Sequence, residues 1–325
     1  RGLGDVYKRQ TYDMVGPAPT LPGILGASAP KINNADMKSY GWEMELSWRD
    51  RIEDFNYGVR FTLADGQRKV LKYPNESGDI YSWYNNKLDG TIWGYTTVGI
   101  AQTQEEMDAH LANNKPNWGS NWGAGDIMYA DLNGDGEVTS GSKTLNDHGD
   151  LKVIGNSYAR YNFGFTVDGS WRGLDFSIFL QGTMKRDYWL DGPYFWGASG
   201  DEWQSACFTE HLDYWTPEHT NAYYPKPYFG NIKKNQEVQS GYLQNAAYLR
   251  VKNVQVGYTL PKSWTKKAAM ESVRFYVSGD NLLTWTGISS IFDPETLGGD
   301  WGPGKLYPLS LIHISEPTRQ EAISY

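Results

Sequence analysis

A chain of 325 residues with 15% aromatics, 14 Trp and 23 Tyr among them, and a formal net charge of −8 has room for one large domain or two ordinary ones. The acidic balance argues against nucleic acid as a partner, and the single cysteine, Cys207, excludes an internal disulfide framework and a cysteine-rich zinc site. Mean hydropathy is −0.60, and no apolar run reaches the roughly 20 residues of a membrane helix; strands that alternate, and so average to polar, are not excluded.

In chain order, residues 1–10 (RGLGDVYKRQ) come first, and they mirror residues 309–318 (LSLIHISEPT). Codons exist for which each segment is the reverse complement of the other, from Arg1 with Thr318 to Gln10 with Leu309. Both resemble translated sequencing adapter, so residues 1–10 and 309–325 are expected to be artefact and 11–308 to be one partial domain. Strict alternation begins at residue 40. Tyr40, Trp42, Met44, Leu46 and Trp48 share one face, and Gly41, Glu43, Glu45, Ser47 and Arg49 the other. After a polar turn the pattern resumes with Phe55, Tyr57, Val59, Phe61 and Leu63 against Asn56, Gly58, Arg60, Thr62 and Ala64. This predicts a hairpin over 40–64. A long connection follows to residue 157, with one short helix expected at 104–112. A second hairpin, 161–182, sets Phe163, Phe165, Val167, Trp171, Phe176, Ile178 and Leu180 against Thr166, Asp168, Ser177 and Gln181, turning at Arg172 and Gly173. Another long stretch, 183–245, is rich in Gly, Asp, Trp and Tyr. A third hairpin, 254–278, turns through 261–271. Leu249 and Val251 are out of phase with Val254, which predicts a bulge near Lys252 and Asn253.

Short turns within hairpins and long connections between them suit a barrel with short turns at one rim and long loops at the other. Trp48, Phe55, Trp171, Tyr258 and Trp264 fall near the short turns, as an interfacial aromatic girdle would. Glu43, Glu45, Arg49, Arg60, Asp168 and Arg274 lie on the opposite face, where a dry core would not hold them unpaired. The expected fold class is therefore all-β: an antiparallel transmembrane β-barrel section, an open curved meander with long extracellular loops. A soluble extracellular carbohydrate-binding β-domain is the alternative, with the aromatic face buried between two sheets.

Residues 126–136 (DIMYADLNGDG), 150–155 (DLKVIG), 175–182 (DFSIFLQG), 248–261 (YLRVKNVQVGYTLP), 277–283 (VSGDNLL) and 292–295 (FDPE) resemble the SusC/RagA family of TonB-dependent outer-membrane transporters. The resemblance implies the C-terminal part of a large barrel in the outer membrane. It also implies import of oligosaccharides or peptides, a SusD-like surface lipoprotein as partner, and energy from the TonB complex through a part absent from this sequence.

Two groups carry candidate chemistry. Asp131, Asn133 and Asp135 have the spacing of the first half of a calcium loop, but Ser142 stands where the bidentate Glu belongs, leaving Asp147 or Asp150 to supply it. The other reading of the same residues is an Asx turn. Trp189, Tyr194, Trp196 and Trp203, with acids such as Asp201 and Glu202 nearby, offer rings to stack on sugars; the other reading is a loop packed on itself or on a lid. No catalytic constellation is expected: the carboxylates lack a fixed pairing, and His110, His148, His211 and His219 show no metal spacing. Lys233–Lys234 and Lys266–Lys267 read as solvated charges.

Overall fold

The computed structural model describes residues 2–18, 24, 26, 30–197, 207–228, 233–268 and 270–297. Three long strands come first: β1 (Gly2–Gly16), β2 (Ile32–Ile52) and β3 (Phe55–Lys72). The connection after β3 holds β4 (Thr91–Gly94), β5 (Thr97–Ile100), α1 (Gln104–Leu111), β6 (Lys115–Pro116), β7 (Ile127–Tyr129), β8 (Glu137–Val138) and β9 (Lys152–Asn156). Next come β10 (Arg160–Trp171), β11 (Leu174–Lys185), β12 (Asp187–Tyr188), α2 (Pro193–Trp196), α3 (Lys233–Gln236), β13 (Gln244–Thr259), α4 (Lys262–Thr265) and β14 (Arg274–Gly287).

The long strands form one antiparallel sheet in the order β1-β2-β3-β10-β11-β13, with β14 on the far side of β13. The three expected hairpins thus lie side by side in chain order, and no pairing closes the sheet among the described residues. At one rim the chain turns back within two residues after β2 and β10 and through the short helix α4 after β13; at the other it makes long excursions after β3 and β11. Arg172 (φ 46°) and Gly173 (φ 91°) both occupy the left-handed region, the twist-matched two-residue turn between β10 and β11.

Register shows why period two is maintained across the sheet: partners directly opposite share a face. One rung runs Leu46, Phe61, Phe165, Leu180, Val251, Leu283; another runs Ile52, Phe55, Trp171, Leu174, Tyr258, Phe275 along the short-turn rim. On the reverse face a rung runs Glu45, Thr62, Gly164, Gln181, Arg250, Thr284. The expected bulge is present: the register slips between Val251 and Asn253, which returns Leu249 and Val251 to the apolar face. Phe163 lies over its partner Gly182, where an added Cβ would sit 2.6 Å from the ring.

Several features differ from the sequence reading. β2 and β3 extend beyond 40–64 in both directions at the long-loop rim. Residues 2–10 form most of β1, pair with β2 and are exposed throughout, which leaves the coding relation between 1–10 and 309–318 as it stood. Four-residue helices α2, α3 and α4 occur where none was expected, because a single turn has no apolar period to read. Most of the buried core is outside the sheet. It lies in the long connections, where Ile80, Tyr129, Phe195, Trp196, Tyr224 and Phe292 pack in one cluster.

Candidate functional site

The polar face of the sheet is partly self-neutralised. Glu45 and Arg60 pair at 2.8 Å between the neighbouring strands β2 and β3, and Arg274 of β14 reaches across Gly257 of β13 to Asp175 of β11 at 2.5 Å. These pairs are exposed, so they orient side chains more than they stabilise. Arg172 and Asp54 pair at 2.9 Å and tie two adjacent short turns together. Asn253 donates to Asp280 at 2.8 Å on the same face.

At the opposite rim the long connections form one body. The connection after β11 is stitched into the one after β3: the Tyr95 N–H donates to Val238 O and the Ser240 N–H to Tyr95 O. Asp126 and Lys234 pair at 2.7 Å with both side chains fully buried, which corrects the reading of Lys234 as a solvated charge. The pair is tolerated because both ends are satisfied. Asp126 also accepts from the Gly123 N–H and from Asn235 and Tyr228, while Lys234 donates to Asn121 O and lies 4.3 Å from the Tyr228 ring centre. Lys87 is held similarly: its ammonium donates to the carbonyls of Ile80, Tyr81 and Ser82, and burial pushes its pKa below the usual lysine value.

This body is bolted to the sheet by two arginines. Arg250, on the polar face and 3% exposed, donates to Asp293 and Glu295 at 2.6 and 2.7 Å, and Lys252 reaches Glu295 at 2.8 Å. Arg186 donates to the carbonyls of Ser157, Pro294 and Leu297. Residues 292–295 are therefore folded back onto the face carrying 248–252, with Phe292 in the loop core. The sequence contains both motifs but gives no sign that they touch.

The calcium-loop residues form a hydrogen-bonded turn. Asp131 accepts from the N–H groups of Gly134 and Gly136, both at 2.7 Å, and Asn133 and Asp135 accept from the N–H groups of Asp135 and Glu137. Asp150 joins them from beyond the loop, accepting from Leu132, Asn133 and Thr139. Asp147 does not; it accepts from Ser142 instead. The amide of Gly136 leads the causes that hold the Asp131 carboxyl below its usual range, and Ser142 does the same for Asp147. No set of three or more His, Cys, Asp or Glu side chains is gathered as metal ligands among the described residues.

The four ring residues separate. Trp196 is buried at 7% exposure, edge-on to Phe195 and donating to Leu190 O. Trp189 packs against it, ring centres 5.9 Å apart, and keeps part of its surface exposed. Tyr194 is exposed and stacked on Phe208 at 5.8 Å. Trp203, with Asp201 and Glu202, lies outside the described residues. His211, which no spacing marked, is the hub of this region: its ring bonds the carbonyls of Tyr194 and Phe195 and accepts from the Phe208 N–H.

No family model matches the chain. It is 27% identical over 308 residues to TonB-dependent receptor P3 of Formosa agariphila, covering 90% of this chain and 28% of the relative. It is 22% identical over 325 residues to TonB-dependent receptor SusC of Bacteroides thetaiotaomicron, covering 95% of this chain and 29% of the relative. The fold matches the RagAB peptide transporter with a TM-score of 0.63 at 21% identity over 90% of this chain and 30% of that one. Over about 90% of its length the chain is thus similar to TonB-dependent receptors, SusC among them.

This chain accordingly spans under a third of the length of its relatives. With that fold match, the single antiparallel sheet is a section of β-barrel wall rather than half of a two-sheet sandwich. Four of the motifs that carried the resemblance acquire physical roles: 126–136 supplies Asp126 and the Asp131 turn, 150–155 supplies Asp150, and 248–261 with 292–295 forms the Arg250 anchor.

Proposed function

We propose that the chain forms part of the wall and outer mouth of an outer-membrane importer of oligosaccharides or peptides. A surface lipoprotein lid covers the mouth, and TonB acts through a part of the receptor beyond this sequence, as the family resemblance implies. The observation that supports the reading is the two-sided sheet: apolar rungs on one face and charged, hydrogen-bonding rungs on the other, with no second sheet packed against either among the described residues. In this reading the apolar face meets lipid and the polar face lines the lumen. The loop body stands at the mouth, where Trp189 and Tyr194 offer rings to cargo. The reading requires no metal and no catalytic group.

The test is cysteine accessibility in the whole receptor in intact outer membranes, with exposed Cys207 first replaced by serine. Thr62→Cys and Gln181→Cys should react with a small aqueous maleimide. Leu46→Cys and Phe165→Cys should react only after detergent extraction. Equal labelling of both sets in the membrane would overturn the assignment of faces.

A further inference from the structure

The apolar face of β2 and β3 does not remain apolar to its outer end. Above Trp42 the β2 column continues Tyr40, Lys38, and the β3 column continues Asp65, Gln67, Lys69; Lys38 and Lys69 are direct cross-strand partners. Two like charges placed opposite each other on one face repel. Neither has a carboxylate partner among the described residues. Asp65, the acid of the same column, is engaged by Arg160, and Asp36, the next acid beyond Lys38, has Lys72 as its cross-strand partner and accepts from the Asp13 N–H. The Lys38 ammonium sits 4.7 Å from the Tyr40 ring centre. The Tyr40 hydroxyl donates to the Gln67 carbonyl oxygen at 2.8 Å, which leaves the Gln67 amide as a further donor.

Height decides what this group meets. A strand rising about 3.3 Å per residue and tilted about 45° climbs roughly 2.3 Å per residue. An apolar band roughly 25 Å tall that starts at Ile52 and Phe55 therefore ends near Trp42, and Lys38 stands roughly 9 Å higher, in the headgroup layer. We infer that Lys38, Lys69 and Gln67 bind a phosphate-bearing headgroup of the outer leaflet, the anion relieving the repulsion between the lysines. This rests on the apolar face meeting lipid, as proposed above.

The whole receptor is reconstituted in nanodiscs of zwitterionic lipid alone, or doped with diphosphorylated lipid A or its dephosphorylated form, and its unfolding midpoint is measured. The phosphorylated lipid should raise the midpoint by a few degrees and the dephosphorylated form should not. Most of the rise should vanish in Lys38→Gln/Lys69→Gln and persist in Lys38→Arg/Lys69→Arg. An equal rise in the wild type and the Gln variant overturns the site. The same rise with free pyrophosphate in zwitterionic discs overturns the lipid as its ligand. A wild-type receptor that enters no nanodisc strikes the membrane reading itself, and the headgroup site with it.

Discussion

Arg250 and Asp293 meet fork to fork: the two terminal guanidinium nitrogens reach the two carboxylate oxygens at 2.6 and 3.3 Å, forty-three residues apart in sequence. The bond joins a barrel strand to the segment that follows the next strand. With Glu295 as the second acceptor and Thr284 bonded to Nε, the guanidinium is nearly saturated. Replacing Arg250 with Met strands the largely buried Asp293 and leaves Glu295 to Lys252 alone, at a cost of about 3 kcal/mol. Limited proteolysis of the whole receptor should then cut within residues 288–297 while the sheet stays intact. Cleavage no faster than in the wild type would show that Arg186 and the Phe292 packing hold the segment unaided.

The Asp126–Lys234 pair should behave as a coupled unit. Lys234→Met leaves a buried carboxylate facing an apolar chain and should destabilise the loop body by about 3–5 kcal/mol. Adding Asp126→Asn, which keeps an acceptor for the Gly123 N–H, should recover much of that loss. Thermal unfolding of the wild type, both single variants and the double variant measures the coupling. Additive losses would mean that the two side chains act separately.

The wall was legible and the loop body was not, for physical reasons. Alternation in β2, β3 and β10 repeats over about ten residues, β11 and β13 carry shorter runs, and the out-of-phase Leu249 and Val251 announced the bulge. Each such signal is local. Lys234 is buried by residues more than a hundred positions away, so the sequence around it resembles any solvated lysine pair. Trp196 and Tyr194 have similar sequence surroundings, yet one is core and the other surface, because His211 and Phe208 close over them from a distant segment. Asp150 was one of two candidates to join the Asp131 loop; only the path of the chain through Thr139 separates it from Asp147.

The Asp131 turn carries a pH signature. Its carboxyl is held below the ordinary value of 3.8, foremost by the Gly136 N–H and also by that of Gly134. A depressed folded value means that the contribution is present above the unfolded pKa and is lost as pH falls through the folded one. Amide exchange at Gly134 and Gly136 in the whole receptor should stay protected from neutral pH to about pH 4 and open below it. Asp131→Asn should open both amides at neutral pH. Calcium would draw on the same oxygens, so added calcium or chelator should leave exchange at pH 7 unchanged if the turn stands by itself. A marked slowing with calcium would instead assign the ion to Asp131, Asn133, Asp135 and Asp150.

The two faces of the wall differ in what they tolerate. Phe163 sits between Leu63 and Gly182 on the apolar face, and Ile178 between Val167 and Val254. Thr166 and Ser177 are their near neighbours on the polar face, opposite Arg60 and Gln255. Arginine at Phe163 or Ile178 should cost about 2–4 kcal/mol near the bilayer midplane and lower the folded receptor recovered from outer membranes. Lysine at Thr166 faces water and an Arg60 already neutralised by Glu45, lysine at Ser177 lies between Asp168 and Gln255, and each should leave that yield within about a factor of two, the effect of roughly 0.5 kcal/mol at a surface site. Folded receptor is counted as the heat-modifiable band on unboiled gels. A Phe163→Ala control separates loss of the ring over Gly182 from burial of a charge. If the Arg and Ala variants fall equally, packing on Gly182 rather than contact with lipid sets the tolerance of this face; if Thr166→Lys falls as far as Phe163→Arg, the polar face is not wet and the wall assignment fails.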